Sequence, residues 1–409
     1  MNPIDQLRAA RPEHLGDTPV DPRTRAAELS RAMARPRPAP AGRRTVRPGW
    51  GLGLGLAGAA AAVTAVAVTI SATGGTVPDA PSVQADPGRT VFGPSTSSPS
   101  ASTPQAEQTE QTELSSRSIL LAAAHGAARQ PDTTGDYWYT VSVSRMLSEV
   151  ADEDYSVVER TRSEAWTPSA TGRDRWDRTW SLGARPASPD DEAAWKRAGS
   201  PSKIKVEVPG GKQGGEMEGY VLSTEPGEAK DSRTPLVDGD KVFWLGRNVT
   251  MKDLRGLPAD PGRLKAWLLR SYKGTGTEAD TPMASDAWLF TVAVGLVTEM
   301  PITPKVRGAA FRMLADLKTI EVARGVTDAE GRTGSAVSIE ERVRAKADAK
   351  GAEGVLRNRL IFDEATGRAL ATDSVVVRPG GLQAGFEPGT VWNSRTVLEA
   401  GWTDEKPAS

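Results

Sequence analysis

The 409-residue sequence has no cysteine and only two histidines, His14 and His125. Without cysteine the chain has no disulfides, no lipid-modified cysteine and no cysteine-containing zinc motif of the kind found in many anti-sigma factors. A zinc site of His and Cys ligands is excluded, and a Ser-His-Asp triad in the large C-terminal region would have to use His125. His125 lies in an alanine-rich segment typical of a helix, so we interpret it as a packed or exposed helical residue.

The motifs of common enzyme classes are also missing. The sequence has no Gly-x-Ser-x-Gly or Walker loop, and its one Gly-x-Gly-x-x-Gly match, residues 53–58, lies inside an apolar run rather than between a strand and a helix. Acidic residues cluster at 152–154 and 190–192, where they indicate a loop and a helix start more than acid–base chemistry or calcium binding. We therefore expect no cofactor, no metal and no catalytic residue, with a cell-envelope hydrolase as the alternative.

Charge is absent from one long run, residues 50–72 (WGLGLGLAGAAAAVTAVAVTISA). As a helix rising about 1.5 Å per residue, the run reaches roughly 35 Å and crosses a hydrocarbon core of about 30 Å. A cleaved signal peptide is the rival interpretation, but its apolar region would hold about 7 to 15 residues after a short basic start. The length favours an uncleaved signal anchor, a single transmembrane helix, in which Gly51 and Gly55 have the spacing for close helix approach.

Charge on either side of this run predicts its orientation. Residues 1–48 carry ten arginines and five acidic residues, whereas the first charges after the run are Asp79 and Asp86. This bias predicts a cytoplasmic N-terminus and an extracytoplasmic C-terminal domain. Because the whole chain carries −1, the remainder carries about −6, which excludes nucleic acid as an expected partner. The expected partner of the basic tail is the membrane lipid bilayer.

Composition divides the chain into four parts. Residues 1–48 form an Arg-rich tail with a short helix at 23–35, which either docks a cytoplasmic regulatory protein or belongs to a merely basic tail. Residues 50–72 form the transmembrane helix, and residues 73–112, rich in Pro, Ser, Thr and Gln, form a disordered stalk. Residues 113–409 form the extracytoplasmic domain.

Hydrophobic periodicity predicts strands, then three helices, then strands in this domain. A first helix is predicted at residues 114–129, and residues 199–230 are predicted to form loops around one or two short strands. The predicted strands are 137–146, 155–166, 173–182, 320–326, 334–341, 355–362, 369–377 and 391–402, and the three central helices are 262–272, 284–300 and 303–317. This order predicts an α+β fold, a curved antiparallel sheet covered by a central group of helices and preceded by one transmembrane helix.

Several short motifs lie between residues 257 and 377. They are LPADP from Leu257 with Leu264, the segment 304–317, Thr319 and Ile320, DAEGR at 328–332, and LIFDEATGR at 360–368. As a set they resemble a family of actinobacterial single-pass membrane proteins of uncharacterised function, often encoded beside extracytoplasmic-function sigma factors. The resemblance implies the tail, span and stalk layout and supplies no catalytic residue. In element order the domain is also similar to the half-barrels of periplasmic lipoprotein carriers, a likeness of fold that implies no function.

Tryptophan is the abundant aromatic residue, with 11 Trp against 6 Phe and 5 Tyr. Trp166, Trp176 and Trp180 are candidates for an apolar groove between sheet and helices, with core packing as the alternative. The sequence as a whole indicates a non-enzymatic, membrane-anchored extracytoplasmic binding or sensing protein linked to sigma-factor regulation. Its expected partners are an apolar ligand, glycan or envelope protein outside the cell and a regulatory protein inside. A purely structural envelope module is a further alternative.

Overall fold

The computed structural model describes residues 105–206, 220–236, 239, 241–244, 247–277, 282–343 and 353–406. The Arg-rich tail with its short helix, the apolar run 50–72 and the predicted stalk up to residue 104 lie outside these residues.

The described residues form fourteen strands and six α-helices. The helices are α1 (Gln105–Ala128), α2 (Pro189–Arg197), α3 (Met251–Arg255), α4 (Pro261–Leu269), α5 (Ser285–Glu299) and α6 (Pro304–Leu314). The strands are β1 (Tyr137–Glu149), β2 (Ser156–Pro168), β3 (Asp174–Ser181), β4 (Arg185–Pro186), β5 (Lys203–Val206), β6 (Tyr220–Ser223), β7 (Lys230–Pro235), β8 (Lys241–Trp244), β9 (Arg247–Thr250), β10 (Glu321–Thr327), β11 (Thr333–Val343), β12 (Gly354–Phe362), β13 (Ala369–Arg378) and β14 (Val391–Thr403).

Ten of these strands belong to one antiparallel sheet. Its order is β10-β11-β12-β13-β14-β1-β2-β3-β7, with β4 paired to β2, whereas β5-β6 and β8-β9 form separate two-stranded sheets. The first strand of the domain pairs with the last, in a register that joins Tyr137 to Thr403. This pairing unites the strands before and after the central helices, so β1 and β2 lie in the interior of the sheet.

The predicted fold class is wrong. The structure is 25% helical and 42% strand, a large antiparallel sheet with few helices. In the part of the chain that the structure describes, no helix is long and apolar enough to cross a membrane. The physical reason for the error is that periodicity reveals single elements but not their pairing. The sequence did not predict the pairing of β1 with β14, nor did it predict β4, β7, β8 and β9.

Most predicted elements nevertheless lie close to observed ones. The three central helices are confirmed as α4, α5 and α6, and the eight predicted strands as the long strands of the main sheet. The short strands expected in residues 199–230 are β5 and β6. Helix α1 begins at Gln105, inside the segment predicted as stalk, nine residues before its predicted start.

Helix starts follow the expected capping chemistry. Asp260 accepts a hydrogen bond from the main-chain nitrogen of Arg263 (2.8 Å), and Pro261 occupies the first turn of α4. Thr303 caps α6 in the same way, again with a proline in the first turn. Proline is suited to this position because its missing N–H would have no helical partner there.

The largest core joins the helices to one face of the sheet. Fully buried side chains of α5 and α6, such as Trp288 and Phe311, contact a cluster that includes Leu360 and Phe362 of β12. A second core lies at the other end of β1 and β2 and contains Val157 of β2 with residues of α2, β5 and β6. Between these two cores, the same face of the sheet carries polar side chains of β1, β2 and β3.

Candidate functional site

Trp138 of β1 identifies the face of the sheet on which the helices pack. Its indole nitrogen donates a hydrogen bond to the main-chain oxygen of Glu299, the last residue of α5 (2.8 Å). Side chains alternate between faces along a strand, so Ser142, Ser144 and Ser148 of β1 lie on the same face as Trp138. We call this the helix-bearing face.

Small hydroxyl side chains occupy the middle of this face. Ser144 pairs with Thr161 of β2, Ser142 pairs with Ser163, and Ser163 pairs with Thr179 of β3. The two β1 serines are buried, whereas the β2 and β3 members are half-exposed. These five residues form what we call the hydroxyl strip, which is accessible to solvent over β2 and β3.

Charged side chains bound the strip where α5 ends. Arg395 of β14, the register partner of Ser144, donates a hydrogen bond to Glu299 (2.5 Å). Arg175 of β3 donates from Nε to both carboxylate oxygens of Asp177 (2.8 and 2.7 Å). Burial raises the pKa of Glu299 and lowers that of Arg175, while attraction between the opposite charges counteracts both shifts. We call these four residues the charge cluster.

Glu159 of β2 bounds the other end of the strip. It pairs with Met146, two residues from Ser144 and Ser148, so its side chain lies on the helix-bearing face. Glu159 is only 9% exposed, and among the residues that the structure describes its Oε2 atom has no hydrogen-bond partner. Burial raises the pKa of Glu159 to about 7. A buried acceptor without a partner is rare in folded proteins, and its desolvation costs about 1 to 3 kcal/mol.

Two hydroxyl groups lie beside Glu159. Tyr220 reaches from β6 to Ser148 of β1, with 3.5 Å between the two hydroxyl oxygens. Burial raises the pKa of Tyr220, the hydrogen bond with Ser148 opposes this shift, and the charge on Glu159 adds to it. The short sheet β5-β6 therefore closes this end of the strip.

The polar lining continues on β12 and β13. Ser374 donates a hydrogen bond to Asn358 (2.8 Å), and the Asn358 amide nitrogen donates to Glu341 (2.9 Å). Burial raises the pKa of Glu341, and the hydrogen bond from Asn358 opposes the shift. Unlike Glu159, these groups have partners within the protein, so they are explained by the fold.

The three tryptophans nominated from the sequence lie together, but on the other face of the sheet. Trp166 and Trp176 are register partners, and Trp180 lies four residues along β3 from Trp176. Trp138 pairs with Thr167, the neighbour of Trp166, so Trp138 and Trp166 point to opposite faces. The three tryptophans thus lie on the face opposite to the helices and not in a space between sheet and helices.

Arginines stack on this outer aromatic group. The guanidinium carbon of Arg162 lies 5.4 Å from the ring centre of Trp180, and that of Arg233 lies 5.1 Å from Trp176. Arg162 also donates a hydrogen bond to Glu164 (2.9 Å). Contacts within the protein therefore account for these rings.

The other residues considered from the sequence have structural positions. His125 is an exposed residue of α1, as interpreted. Asp190 and Asp191 lie in the first turn of α2, capped by Ser188, and Asp152 lies in the exposed turn between β1 and β2. Among the residues that the structure describes, no group of three His, Cys, Asp or Glu side chains is arranged to hold a metal.

Sequence reasoning missed the hydroxyl strip and Glu159. The signal for the strip was present, because serine alternates with valine at Val141, Ser142, Val143 and Ser144. This pattern gives one small polar face along β1. No comparable pattern in the sequence indicated Glu159, because its burial depends on how β6 packs against β1 and β2.

Comparison with known proteins gives no match, whether with family models, curated proteins or solved structures.

Proposed function

We propose that this chain is a membrane-anchored extracytoplasmic binding protein whose helix-bearing face takes a hydroxyl-rich glycan of the cell envelope. The observation that supports binding is the hydroxyl strip, three of whose five members are half-exposed. It is bounded by the charge cluster at one end and at the other by Glu159, whose Oε2 atom has no hydrogen-bond partner among the described residues. Hydroxyl groups both donate and accept hydrogen bonds, which suits them to the hydroxyl groups of a sugar.

The position of the strip favours a glycan over an extended peptide. A peptide that adds to a sheet uses free main-chain groups at an edge strand. The main-chain groups of β1 are paired with β14 and β2 on its two sides, and β2 pairs with β1 and β3. Thr161, Ser163 and Thr179, the accessible members of the strip, lie beside one another on this face and offer hydroxyl contacts to a sugar.

The polar lining also favours a glycan over an apolar ligand. Lipid sites are lined mainly by apolar side chains, whereas this part of the face carries serine, threonine, arginine and carboxylate groups. Among the ligand classes expected from the sequence, the glycan is therefore the one that we propose.

A cell-envelope hydrolase is the second candidate, and one observation favours it. Glu159 has a pKa of about 7, which suits a general acid. Glycoside hydrolysis also requires a second carboxylate, and the acids at the other end of the strip, Asp177 and Glu299, are bound to Arg175 and Arg395. We therefore place binding ahead of hydrolysis.

A glycan array tests the proposed binding. The full-length chain, solubilised in detergent, is applied to an array of bacterial envelope glycans, beside a variant that carries Ser144→Val and Thr161→Val. We expect retention of the native chain and loss of retention by the double variant. The matched control is Thr333→Val, an exposed position in β11 away from the strip. Equal retention of all three proteins, or retention of none, would contradict the proposal.

The absence of cysteine makes the proposed topology easy to test. In intact cells, a membrane-impermeant maleimide should label a His125→Cys variant, because His125 is exposed in α1. A His14→Cys variant should react only after permeabilisation if residues 1–48 lie in the cytoplasm. Labelling of both variants in intact cells would contradict the anchor and its orientation.

We propose that residues 1–48 transmit the binding signal to a regulatory protein in the cytoplasm. The resemblance to proteins encoded beside sigma factors supports a cytoplasmic regulatory partner for residues 1–48. Crosslinking from a residue in 23–35, followed by recovery of the adduct, tests this part separately. Recovery of no cytoplasmic protein would remove signalling from the proposal and leave ligand binding standing.

A further inference from the structure

We infer that Glu159, together with Ser148 and Tyr220, forms a subsite for the primary ammonium group of an amino sugar. This inference rests on the proposed glycan function and specifies its substrate class.

The first argument is the missing partner of Glu159. In the described part of the chain its Oε2 atom accepts no hydrogen bond although the residue is about nine-tenths buried. Arg160, the next residue, points to the opposite face with Arg145, its register partner. A ligand that brings a hydrogen-bond donor, above all a charged one, would satisfy this acceptor.

The second argument is the chemistry around the carboxyl group. A primary ammonium group has three donors and no acceptor. Glu159 offers a carboxylate, while the hydroxyl oxygens of Ser148 and Tyr220, 3.5 Å apart, offer two further acceptors. These acceptors match the three hydrogens of an ammonium group in number. Water or a neutral hydroxyl group would leave the charge of Glu159 without compensation.

The third argument is electrostatic. Burial raises the pKa of Glu159 to about 7, and the charge on Glu159 adds to the larger effect of burial on the pKa of Tyr220 of β6. An ammonium group beside the carboxylate favours the ionised form and lowers its pKa. Binding of the amine near neutral pH should therefore release a proton from Glu159, whereas binding of an N-acetylated sugar should not.

The test compares two sugars that differ only in acetylation. Isothermal titration calorimetry measures the binding of a glucosamine trisaccharide and its N-acetylated counterpart to the full-length chain in detergent. We expect the amine to bind at least about tenfold more tightly, as expected for a charged hydrogen bond in a buried site. The Glu159→Gln variant should lose this preference, and its affinity for the acetylated sugar should stay the same.

Glu164→Gln is the matched control. Glu164 lies on the same strand but on the opposite face, where Arg162 donates a hydrogen bond to it. This variant should keep the preference for the amine. In the native chain, affinity for the amine should be greatest at about pH 7, where Glu159 is losing its proton and the sugar amine still holds its own.

The outcomes separate the subsite from the proposed function. Equal affinity for both trisaccharides, or an unchanged preference in Glu159→Gln, would overturn the ammonium subsite and leave glycan binding intact. If the array retains the chain only through neutral glycans, the ammonium subsite is likewise overturned and glycan binding remains. Binding of neither trisaccharide, together with an array that retains nothing, would overturn the proposed function and this inference with it.

Discussion

Gly308 of α6 lies directly against the main-chain oxygen of Ala124 in α1, and a Cβ atom at Gly308 would be 2.7 Å from that oxygen. Gly126 of α1 is equally restricted, since a Cβ there would lie 2.1 Å from the oxygen of Ala365 in the turn between β12 and β13. The main chain of α1 is therefore in close contact with α6 on one side and with the β12–β13 turn on another. This helix joins the domain to the segment that leads toward the proposed anchor.

A Gly308→Ala substitution should destabilise the domain. The added methyl group has no room, so α1 and α6 must move apart, at a cost of about 1 to 3 kcal/mol. Urea unfolding followed by tryptophan fluorescence measures the change. Gly295→Ala in α5 is the matched control, because a Cβ there meets no atom within 4 Å. Gly295→Ala should increase the free energy of unfolding by about 0.5 to 1 kcal/mol, because alanine has a higher helix propensity than glycine. Equal effects of Gly308→Ala and Gly295→Ala would contradict the close packing of α1 against α6.

A Glu159→Gln substitution should change stability in a pH-dependent way. The folded-state pKa of about 7 lies above the ordinary value of 4.5 for glutamate, so the folded protein holds this proton more tightly than the unfolded chain. The native protein should lose roughly 2 to 3 kcal/mol from this group as pH rises from about 4.5 to about 7. The variant should therefore equal the native protein near pH 4 and be more stable near pH 8. Parallel stability curves for the two proteins would contradict the raised pKa.

Removal of Glu299 should be strongly destabilising. Its side chain accepts a hydrogen bond from the half-buried Arg395, and its charge also acts on the buried Arg175, which is bound to Asp177. A Glu299→Ala variant therefore leaves Arg395 without its carboxylate partner. We expect a loss of about 3 to 5 kcal/mol in the free energy of unfolding. The control is Lys196→Ala, which breaks an exposed ion pair with Glu192 and should cost less than about 1 kcal/mol. A double-mutant cycle with Arg395→Met would give the coupling energy of the buried pair.

The turn between β10 and β11 depends on Asp328. Its buried carboxylate accepts hydrogen bonds from the main-chain nitrogens of Glu330 and Arg332, each 2.9 Å long, and from Nε of Arg332 (2.8 Å). An Asp328→Ala substitution should therefore cost about 2 to 3 kcal/mol, measured by thermal unfolding. Asp328→Asn keeps an acceptor oxygen and should cost less, and an equal loss from both variants would show that the hydrogen bonds are not the cause.

The sequence predicted single elements well where the physical signal is local. Alternation predicted β1, capping and proline predicted α4 and α6, and Asp and Gly predicted the turn 328–331, in which Gly331 has a φ of 82°. Pairing between distant strands leaves no such signal. The fold class was wrong because the place of β1 beside β14 became apparent only in the structure.

The candidate site shows the same limit. Tryptophan content drew attention to Trp166, Trp176 and Trp180, but only the register of Trp138 with Thr167 reveals that they face away from the helices. Glu159 was not predicted because its lack of a partner depends on which groups β6 and β1 bring to it. The sequence shows that residue 159 carries a carboxylate, whereas the groups that surround this carboxylate are decided by the fold.

The pairing of β1 with β14 also has a consequence for how the protein is made. Tyr137 of β1 pairs with Pro168 of β2, but on its other side it pairs with Thr403, close to the end of the described chain. Contacts between such distant residues form slowly, because a long loop must close first. During synthesis, β1 therefore has an unpaired strand edge until β14 has been made. We expect this interval to be the stage at which chaperone binding and aggregation compete with folding.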